Sequence, residues 1–313
     1  MKNWNILVAD QIADSGLETL KSRSFVDNRA GISSGELIEI IRSYDALIVR
    51  SRTIVTAQII QLADNLKVIG RAGVGVDNID LDAARARNVI VVNTANATTI
   101  AVAELTLGLM LALARNIPNA DGAVKRGEWN KKALMGVELH GKTLGIIGVG
   151  RIGTTVASHA TALGMTVLGY DPLLSPNTIQ QRGARSVPLE TLYHQSDFIS
   201  LHLPLTAKTD RLISKHEIDQ MKPGVRLVST ARGGLIDEEA LLTALASGHV
   251  AGAALDVFAQ EPPGSSPLVT HPQVIATPHI GAQTQEAQDR VAQSVAGEVL
   301  AALSGEPLRW QVV

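Results

Sequence analysis

The chain has 313 residues, a formal net charge of −2, no cysteine and 45% hydrophobic residues. That length suffices for two domains of ordinary size, each with its own core, and a sequence pI near 6.5 with no long basic run argues against a nucleic-acid footprint. The missing cysteines exclude disulfides, thiolate nucleophiles and cysteine metal sites and fit a reducing compartment. The apolar start Ile6 to Ala9 is too short for a signal peptide, and the longest apolar stretch, near Leu105 to Ala114, falls short of the about 20 residues that cross a bilayer, so a soluble, cytoplasmic protein without membrane or nucleic-acid partners is expected.

From the N-terminus to Asn93, short β-rich runs alternate with helical spacing. Ile6 to Ala9, Ala46 to Val49, Val68 to Arg71 and Val89 to Val92 read as strands, and Ser34 to Ser43, Thr56 to Ala63 and Leu81 to Arg87 as helices. Ser33 and Glu36 are spaced for a capping box. The pattern predicts a small α/β domain with a mostly parallel sheet. Thr98 to Ala114 follows as one helix, apolar almost all round, and so expected to be buried between domains or against a second subunit, with the interior of a monomer as the competing reading. Asp121 to Met135 reads as a polar, basic segment carrying Trp129, Lys131 and Lys132.

The strongest word in the chain is TLGIIGVGRIGTTVASHATALGMTVLGYD, Thr143 to Asp171. Thr143 to Ile147 reads as a strand, Gly148-Val-Gly150-Arg-Ile-Gly153 as a turn, Thr154 to Leu163 as a helix, and Thr166 to Tyr170 as a second strand. In such a βαβ unit the first glycine permits the tight turn, the second lets backbone approach a pyrophosphate, the third lets helix pack on strand, and the helix N-terminus faces the negative charge. Asp171 stands 18 residues after Gly153, where an acid accepts from the adenosine ribose hydroxyls and repels a 2′-phosphate. The expected cofactor is NAD.

Further strands are predicted at Phe198 to Leu201, Arg226 to Ser229, Gly252 to Asp256 and Val274 to Ala276, with helices between; Ser214 with Glu217, and Asp237, are helix starts. Ser175-Pro176 and the run from Pro262 to Pro267 read as loops. Thr284 to Leu303 is one long helix closed by Gly305, expected to return the chain to the first domain. The fold class is therefore α/β with two domains: a flavodoxin-like substrate domain of residues 1–97 plus 285–313, and a Rossmann-type, doubly wound NAD-binding domain of residues 98–284.

Three chemically capable side chains follow apolar strands and so share the cofactor's rim: Arg232 in STARGG, Glu261 in DVFAQEPP and His279 in TPHIGAQT. Oxidising or reducing a 2-hydroxy acid needs a cation for the carboxylate and carbonyl, which a bidentate guanidinium suits, and a base for the hydroxyl proton. His279 suits the second task. Glu261 would hydrogen-bond its other nitrogen, fix the tautomer and favour the imidazolium. The remaining histidines show no HExxH or other tight spacing, so no catalytic metal is expected.

The chain resembles the D-isomer-specific 2-hydroxyacid dehydrogenases from its first strand to its last helix, through the words VRSRT (Val49 to Thr53), LKVIGRAGVGVDNID (Leu66 to Asp80), AELTLGLMLALARNIP (Ala103 to Pro118), GVGRIG, HLPLT, ARGG, LDVFAQEPP and TPHIGAQT. The resemblance implies Arg232, Glu261 and His279 as the catalytic set, in a cleft that closes between domains. It implies Gly148, Gly150, Arg151, Ile152, Gly153, Asp171, Pro172, His202, Pro204, Thr209, Thr230, Ala231 and Gly281 along the cofactor, with Asp256 on the nicotinamide carboxamide. Arg50, Ser51 and the amides of Val74 and Gly75 would take the substrate's acid end. Arg50, Arg52, Lys131 and Lys132 offer positive charge for a phosphate; Lys131 stands where similar enzymes carry a basic residue reaching a neighbouring subunit's site, with a solvated face as the competing reading.

The expected reaction is NAD-dependent oxidation of 3-phosphoglycerate to 3-phosphohydroxypyruvate, the entry to serine synthesis, by a homodimer or homotetramer. A glyoxylate or hydroxypyruvate reductase, or another D-2-hydroxyacid dehydrogenase, is the alternative on the same scaffold, and a non-catalytic NAD(H)-sensing corepressor a remote one. Two positions depart from the family's pattern: Asn96-Ala97-Thr98-Thr99 replaces words such as Asn-Gly-Asn-Ser, and Ser229 replaces an Asn common before ARGG. With the sequence ending at Val313, no serine-binding regulatory domain, and no feedback through one, is expected.

Overall fold

The computed structural model describes residues 4–313. Contacts divide the chain into two compact units, one running to Thr98 and resuming from Ala282 to Val313, the other spanning Thr99–Gly281.

The first unit begins with strand β1 (Trp4–Val8), helix α1 (Asp14–Lys21), strand β2 (Ser24–Asn28) and helix α2 (Ser34–Ile40), which a 3-10 turn extends through Ser43. Strand β3 (Ala46–Val49), helix α3 (Ala57–Leu62), strand β4 (Val68–Arg71), helix α4 (Leu81–Ala86) and strand β5 (Ile90–Val92) follow. The Ser33–Glu36 capping box forms as expected, the hydroxyl accepting from the Glu36 amide and the carboxylate from the Ser33 amide. All five strands are parallel in the order β2-β1-β3-β4-β5, the flavodoxin-like arrangement.

In the second unit, α5 (Thr99–Ala114) leads into α6 (Ile117–Lys125). Part of the segment read as merely polar and basic is thus helical: Pro118 falls in the first turn, where a missing N–H costs nothing. Then come β6 (Thr143–Ile147), α7 (Arg151–Ala162), β7 (Thr166–Tyr170), α8 (Pro176–Gln181), β8 (Arg185–Ser186), α9 (Leu189–Gln195), β9 (Phe198–Leu201) and α10 (Lys215–Asp219). Strand β10 (Val225–Ser229), α11 (Glu238–Ala246), β11 (Val250–Leu255) and β12 (Val274–Ala276) complete it. The seven-stranded parallel sheet runs β12-β11-β10-β9-β6-β7-β8, reversing direction of growth at β6, the doubly wound pattern.

Two local expectations are corrected. Ser175-Pro176 is a helix start rather than a loop, because the Ser175 hydroxyl accepts from the Thr178 amide and Pro176 occupies the first turn of α8. Helix α7 begins three residues earlier than read, since Gly150 is its N-cap and Arg-Ile-Gly153 its first turn.

Helix α12 (Gln285–Ser304) belongs to the first unit and ends at Gly305 in the left-handed conformation. Its buried Val291, Val295 and Val299 join Ile6, Ile48 and Val68 in one core, with Leu37, Ile59 and Ile69 on the other face of the same sheet. In the second unit the faces around Ile147 and Ile146 form two further cores. Each such aliphatic burial contributes roughly 1.5–3 kcal/mol, so four cores hold the carboxyl ends of both sheets in place. Among the described residues no single helix is long and apolar enough to cross a membrane.

Candidate active site

Because the strands of the second sheet are parallel, the segments after β6, β7, β9, β10, β11 and β12 all leave at one edge. There the glycine turn follows Ile147. Gly148 has φ +94°, a conformation open to glycine, and a Cβ on Gly153 would stand 2.2 Å from the Gly148 carbonyl oxygen, so the third glycine is what lets α7 approach the turn. At Gly150 a Cβ would meet nothing within 4 Å. That open space above the N-terminus of a twelve-residue helix fits a pyrophosphate. At the end of β7, Asp171 accepts from the Val149 amide (3.0 Å) and the Leu173 amide (3.0 Å), which fixes its carboxylate beside the turn. A helix N-terminus with open amides beside a fixed carboxylate acceptor therefore suits a dinucleotide with free ribose hydroxyls. Arg151 and Ile152 lie in the first turn of α7, and Pro172 is exposed next to Asp171.

After β9, the Ser200 hydroxyl lies 2.9 Å from Nε2 of His202, and enclosure of that ring pushes its pKa down to about 4. Thr209 closes the loop beyond it, its hydroxyl donating to the Pro204 carbonyl (2.7 Å) and accepting from the Thr206 amide (2.8 Å). Buried Thr230 lies 2.9 Å, hydroxyl to hydroxyl, from Thr106 of α5, tying the segment after β10 to that helix.

Arg232, two residues further on, is half-buried and donates from Nη1 to the Ala231 carbonyl (2.7 Å). A Cβ on the next residue, Gly233, would stand 1.8 Å from the Phe258 carbonyl oxygen, so this glycine lets the Arg232 segment press against the loop carrying Glu261. The Ser229 hydroxyl is buried without a partner among the described residues, in a small cavity it shares with Arg232 and Glu238.

Glu261 and His279 meet. Glu261 Oε1 accepts from the Phe258 amide (3.2 Å), and Oε2 lies 2.8 Å from Nδ1 of His279. A carboxylate partner assigns the proton to Nδ1 and leaves Nε2 with its lone pair. His279 adopts φ +52°, strained for a residue with a Cβ. Asp256, completely buried, holds that conformation: Oδ1 accepts from the Thr277 hydroxyl (2.6 Å) and the Ile280 amide (2.8 Å), and Oδ2 from the Gly281 amide (2.8 Å). The structure thus ties the Asp256 carboxylate to the loop that presents His279. Sequence reading did not foresee this, although an acid at the end of an apolar strand, facing a polar TPHIG loop, is the pattern that announces it.

In the first unit, Arg50 and Ser51 follow β3 and Val74 and Gly75 follow β4, on adjacent parallel strands. Among the described residues the amides of Val74 and Gly75 have no acceptor, and Asn93 Nδ2 steadies the loop by donating to the Val74 carbonyl (2.8 Å). The half-buried Arg50 guanidinium has no hydrogen-bond partner among the described residues, and desolvation lowers its pKa. Arg52, expected as a further charge for the substrate, is instead committed to the fold. Its Nε donates to Asp10 (3.0 Å), and its terminal nitrogens donate to the carbonyls of Ile32 and Ala9. Asp10 itself was missed in the sequence. Lys131 is exposed, its Nζ 5.9 Å from the centre of the exposed Trp129 ring.

A doubly wound sheet with a glycine-lined turn, an acid at the neighbouring strand end and a histidine–carboxylate pair on the same rim defines a dinucleotide-binding oxidoreductase unit. The chain belongs to the D-isomer specific 2-hydroxyacid dehydrogenase family, whose NAD binding domain matches residues 107–281. It is 49% identical over 302 residues to a D-3-phosphoglycerate dehydrogenase of Methanocaldococcus jannaschii, covering 96% of this chain and 58% of that protein. A D-3-phosphoglycerate dehydrogenase of Synechocystis sp. is 48% identical over 304 residues, 97% of this chain and 55% of the relative. The chain thus spans little more than half the length of these curated relatives. A glyoxylate reductase crystal structure from Paecilomyes thermophila superposes with a TM-score of 0.91 at 33% identity, covering 100% of this chain and 99% of that one.

Proposed function

We propose that this protein oxidises D-3-phosphoglycerate to 3-phosphohydroxypyruvate with NAD, the first step of serine biosynthesis. The observation that carries the chemistry is the His279–Glu261 hydrogen bond of 2.8 Å at the rim of the nucleotide-binding sheet. Identity of 46–49% to relatives bearing that activity's name supports the choice of substrate.

In this reading, Gly148 to Gly153 would hold NAD at that rim with Asp171 toward its ribose, and the cofactor would supply the acceptor for the hydride of the hydroxyl-bearing carbon. His279 Nε2 takes the hydroxyl proton, and Glu261 steadies the imidazolium that results. The Arg232 guanidinium orients the carboxylate and the developing carbonyl. Arg50, Ser51 and the amides of Val74 and Gly75 receive the acid end, with the half-buried Arg50 guanidinium, which has no hydrogen-bond partner among the described residues, suited to an anion. Asp256 holds the loop that presents His279.

Ile100, Leu111, Ile117, Val124, Trp129 and Met135 leave an exposed apolar set on α5, α6 and the segment after them. That set supports a homodimer or homotetramer, with Lys131 serving a neighbouring subunit's site. A cytoplasmic location belongs to the same proposal, because the reaction draws on that compartment's NAD.

The second reading, a glyoxylate or hydroxypyruvate reductase, is favoured by the full-length likeness to the glyoxylate reductase structure. Following reduced-nicotinamide absorbance decides between them. NAD is supplied with 3-phosphoglycerate, D-lactate or glycolate, and reduced cofactor with phosphohydroxypyruvate, hydroxypyruvate or glyoxylate. Preference for the phosphorylated pair is the expected result; preference for an unphosphorylated acid moves the protein to the second reading, and no turnover with any of them refutes both.

A further inference from the structure

Two side chains that nothing so far places in the chemistry enclose the turn from Arg50 to Thr53. Asp10, 3% exposed, follows β1, and its carboxylate accepts from the Arg50 amide (2.6 Å), the Thr53 amide (3.1 Å), the Thr53 hydroxyl (2.7 Å) and Arg52 Nε (3.0 Å). Asn78, in the loop after β4, works from the other side: its Nδ2 donates to the Arg50 carbonyl (2.7 Å) and to the Thr53 carbonyl (2.6 Å). Its own backbone carbonyl accepts from the Val55 amide (2.8 Å). The N–H and C=O groups of the first and last residues of the turn are thus all bonded to two side chains from elsewhere in the chain. A buried carboxylate requires such a full set of donors, and a turn so held has little freedom to change its backbone.

The charges divide the same way. The two arginines of the turn have separate tasks, for Arg52 balances the buried Asp10 while the Arg50 side chain has no hydrogen-bond partner among the described residues. Were the carboxylate absent, Arg52 would lose its ion-pair partner, and the Arg50 amide its fixed direction.

We infer that Asp10 and Asn78 are positioning residues that hold the Arg50–Thr53 turn in its acid-binding form, setting substrate affinity without touching substrate. This rests on the reading that Arg50 and Ser51 receive the acid end. An ordinary buried aspartate would matter only for folding; a positioning pair acts on one kinetic constant, because the second unit carries the cofactor turn and the His279–Glu261 pair.

The test uses the full chain with D-3-phosphoglycerate and NAD, comparing Asp10→Asn, Asn78→Ala and, as a reference, Arg50→Gln. Loss of the charge-assisted hydrogen bonds of Asp10, or of the two neutral amide–carbonyl bonds of Asn78, should raise KM for the acid roughly tenfold in the first two variants, with KM for NAD unchanged, and should speed amide hydrogen exchange at Arg50 and Thr53. If Asp10→Asn does not fold, Asn78→Ala, which keeps the buried ion pair, carries the decision. A raised KM in Arg50→Gln beside an unchanged KM in folded Asp10→Asn and Asn78→Ala overturns the inference alone. So does a parallel rise of both KM values. An unchanged KM in Arg50→Gln overturns the acid-binding reading, and the inference with it.

Discussion

Glu261 and His279, 18 positions apart in the chain, are joined by a 2.8 Å contact between Oε2 and Nδ1, and the other carboxylate oxygen is held by the Phe258 amide. The carboxylate is therefore oriented before any ligand arrives, and the imidazole presents Nε2 in one tautomer. General-base help of this kind is worth about 10²–10⁴ in rate. His279→Ala should lower kcat by that order while leaving the Kd for NADH, read by nucleotide fluorescence, within about twofold; equal loss of both would make His279 structural. Glu261→Gln, which keeps the shape and loses the charge, should lower kcat by up to about 10⁴-fold, the scale seen when the carboxylate that sets a general-base histidine's tautomer becomes an amide.

The loop bearing His279 depends on Asp256. Three donors converge on that buried carboxylate while His279 sits at φ +52°. Asp256→Asn puts an NH2 group against at least one of these donors, so the variant should lose about 2 kcal/mol of stability. Its kcat should fall together with its melting temperature. Thermal melting beside turnover checks this; an unchanged melt would show that the loop holds its strained residue by other means.

Much of the sheet order was readable because β3, β4, β6 and β9 are short apolar runs, buried on both faces as parallel strands are. Strand β2 was not. Its residues SFVDN are only partly buried, with Phe25 62% exposed, so an edge strand left no apolar run to find. The positions of Arg232, Glu261 and His279 at one rim followed from the strands before them. Asp10 could not be found this way, since its donors come from residues forty and more positions distant that only the pairing of β1 with β3 brings near. Arg52 misled for the same reason: its charge shows in the sequence and its partners do not.

Cofactor choice should turn on Asp171. Its carboxylate is fixed by the amides of Val149 and Leu173, so it cannot swing away from a 2′-phosphate. Repulsion between like charges a few ångströms apart near a surface amounts to roughly 1–4 kcal/mol. Asp171→Ala should therefore reduce the preference for NAD over NADP, as the ratio of kcat/KM values, by at least about fivefold. A ratio unchanged in a well-folded variant would place the discrimination elsewhere.

His202 gives the protein a pH dependence with a definite sign. Enclosure of the ring disfavours its charged form and lowers the folded-state pKa from 6.5 to about 4. Below pH 6.5 the unfolded chain takes up a proton that the folded chain refuses, so stability falls as pH falls between about 6.5 and 4 and this contribution levels off below. Every tenfold difference in proton affinity between the two states corresponds to about 1.4 kcal/mol. His202→Gln should flatten this part of the curve of unfolding free energy against pH, and an identical slope in wild type and variant would assign the dependence to other groups.

The Ser229 hydroxyl lies buried without a partner among the described residues, in the cavity it shares with Arg232. Burying a hydroxyl unsatisfied costs on the order of 1–3 kcal/mol, a cost that a methyl group avoids. Ser229→Ala should therefore leave the protein as stable or more stable, by up to about 1 kcal/mol once the loss of van der Waals contact is set against the gain. Ser229→Asn adds volume and a donor beside the guanidinium, and should change KM for the acid before it changes KM for NAD. Melting curves for the first variant and the two KM values for the second separate an unsatisfied packing residue from one that supports Arg232: destabilisation by Ser229→Ala would mean that the hydroxyl has a bonding partner in solution.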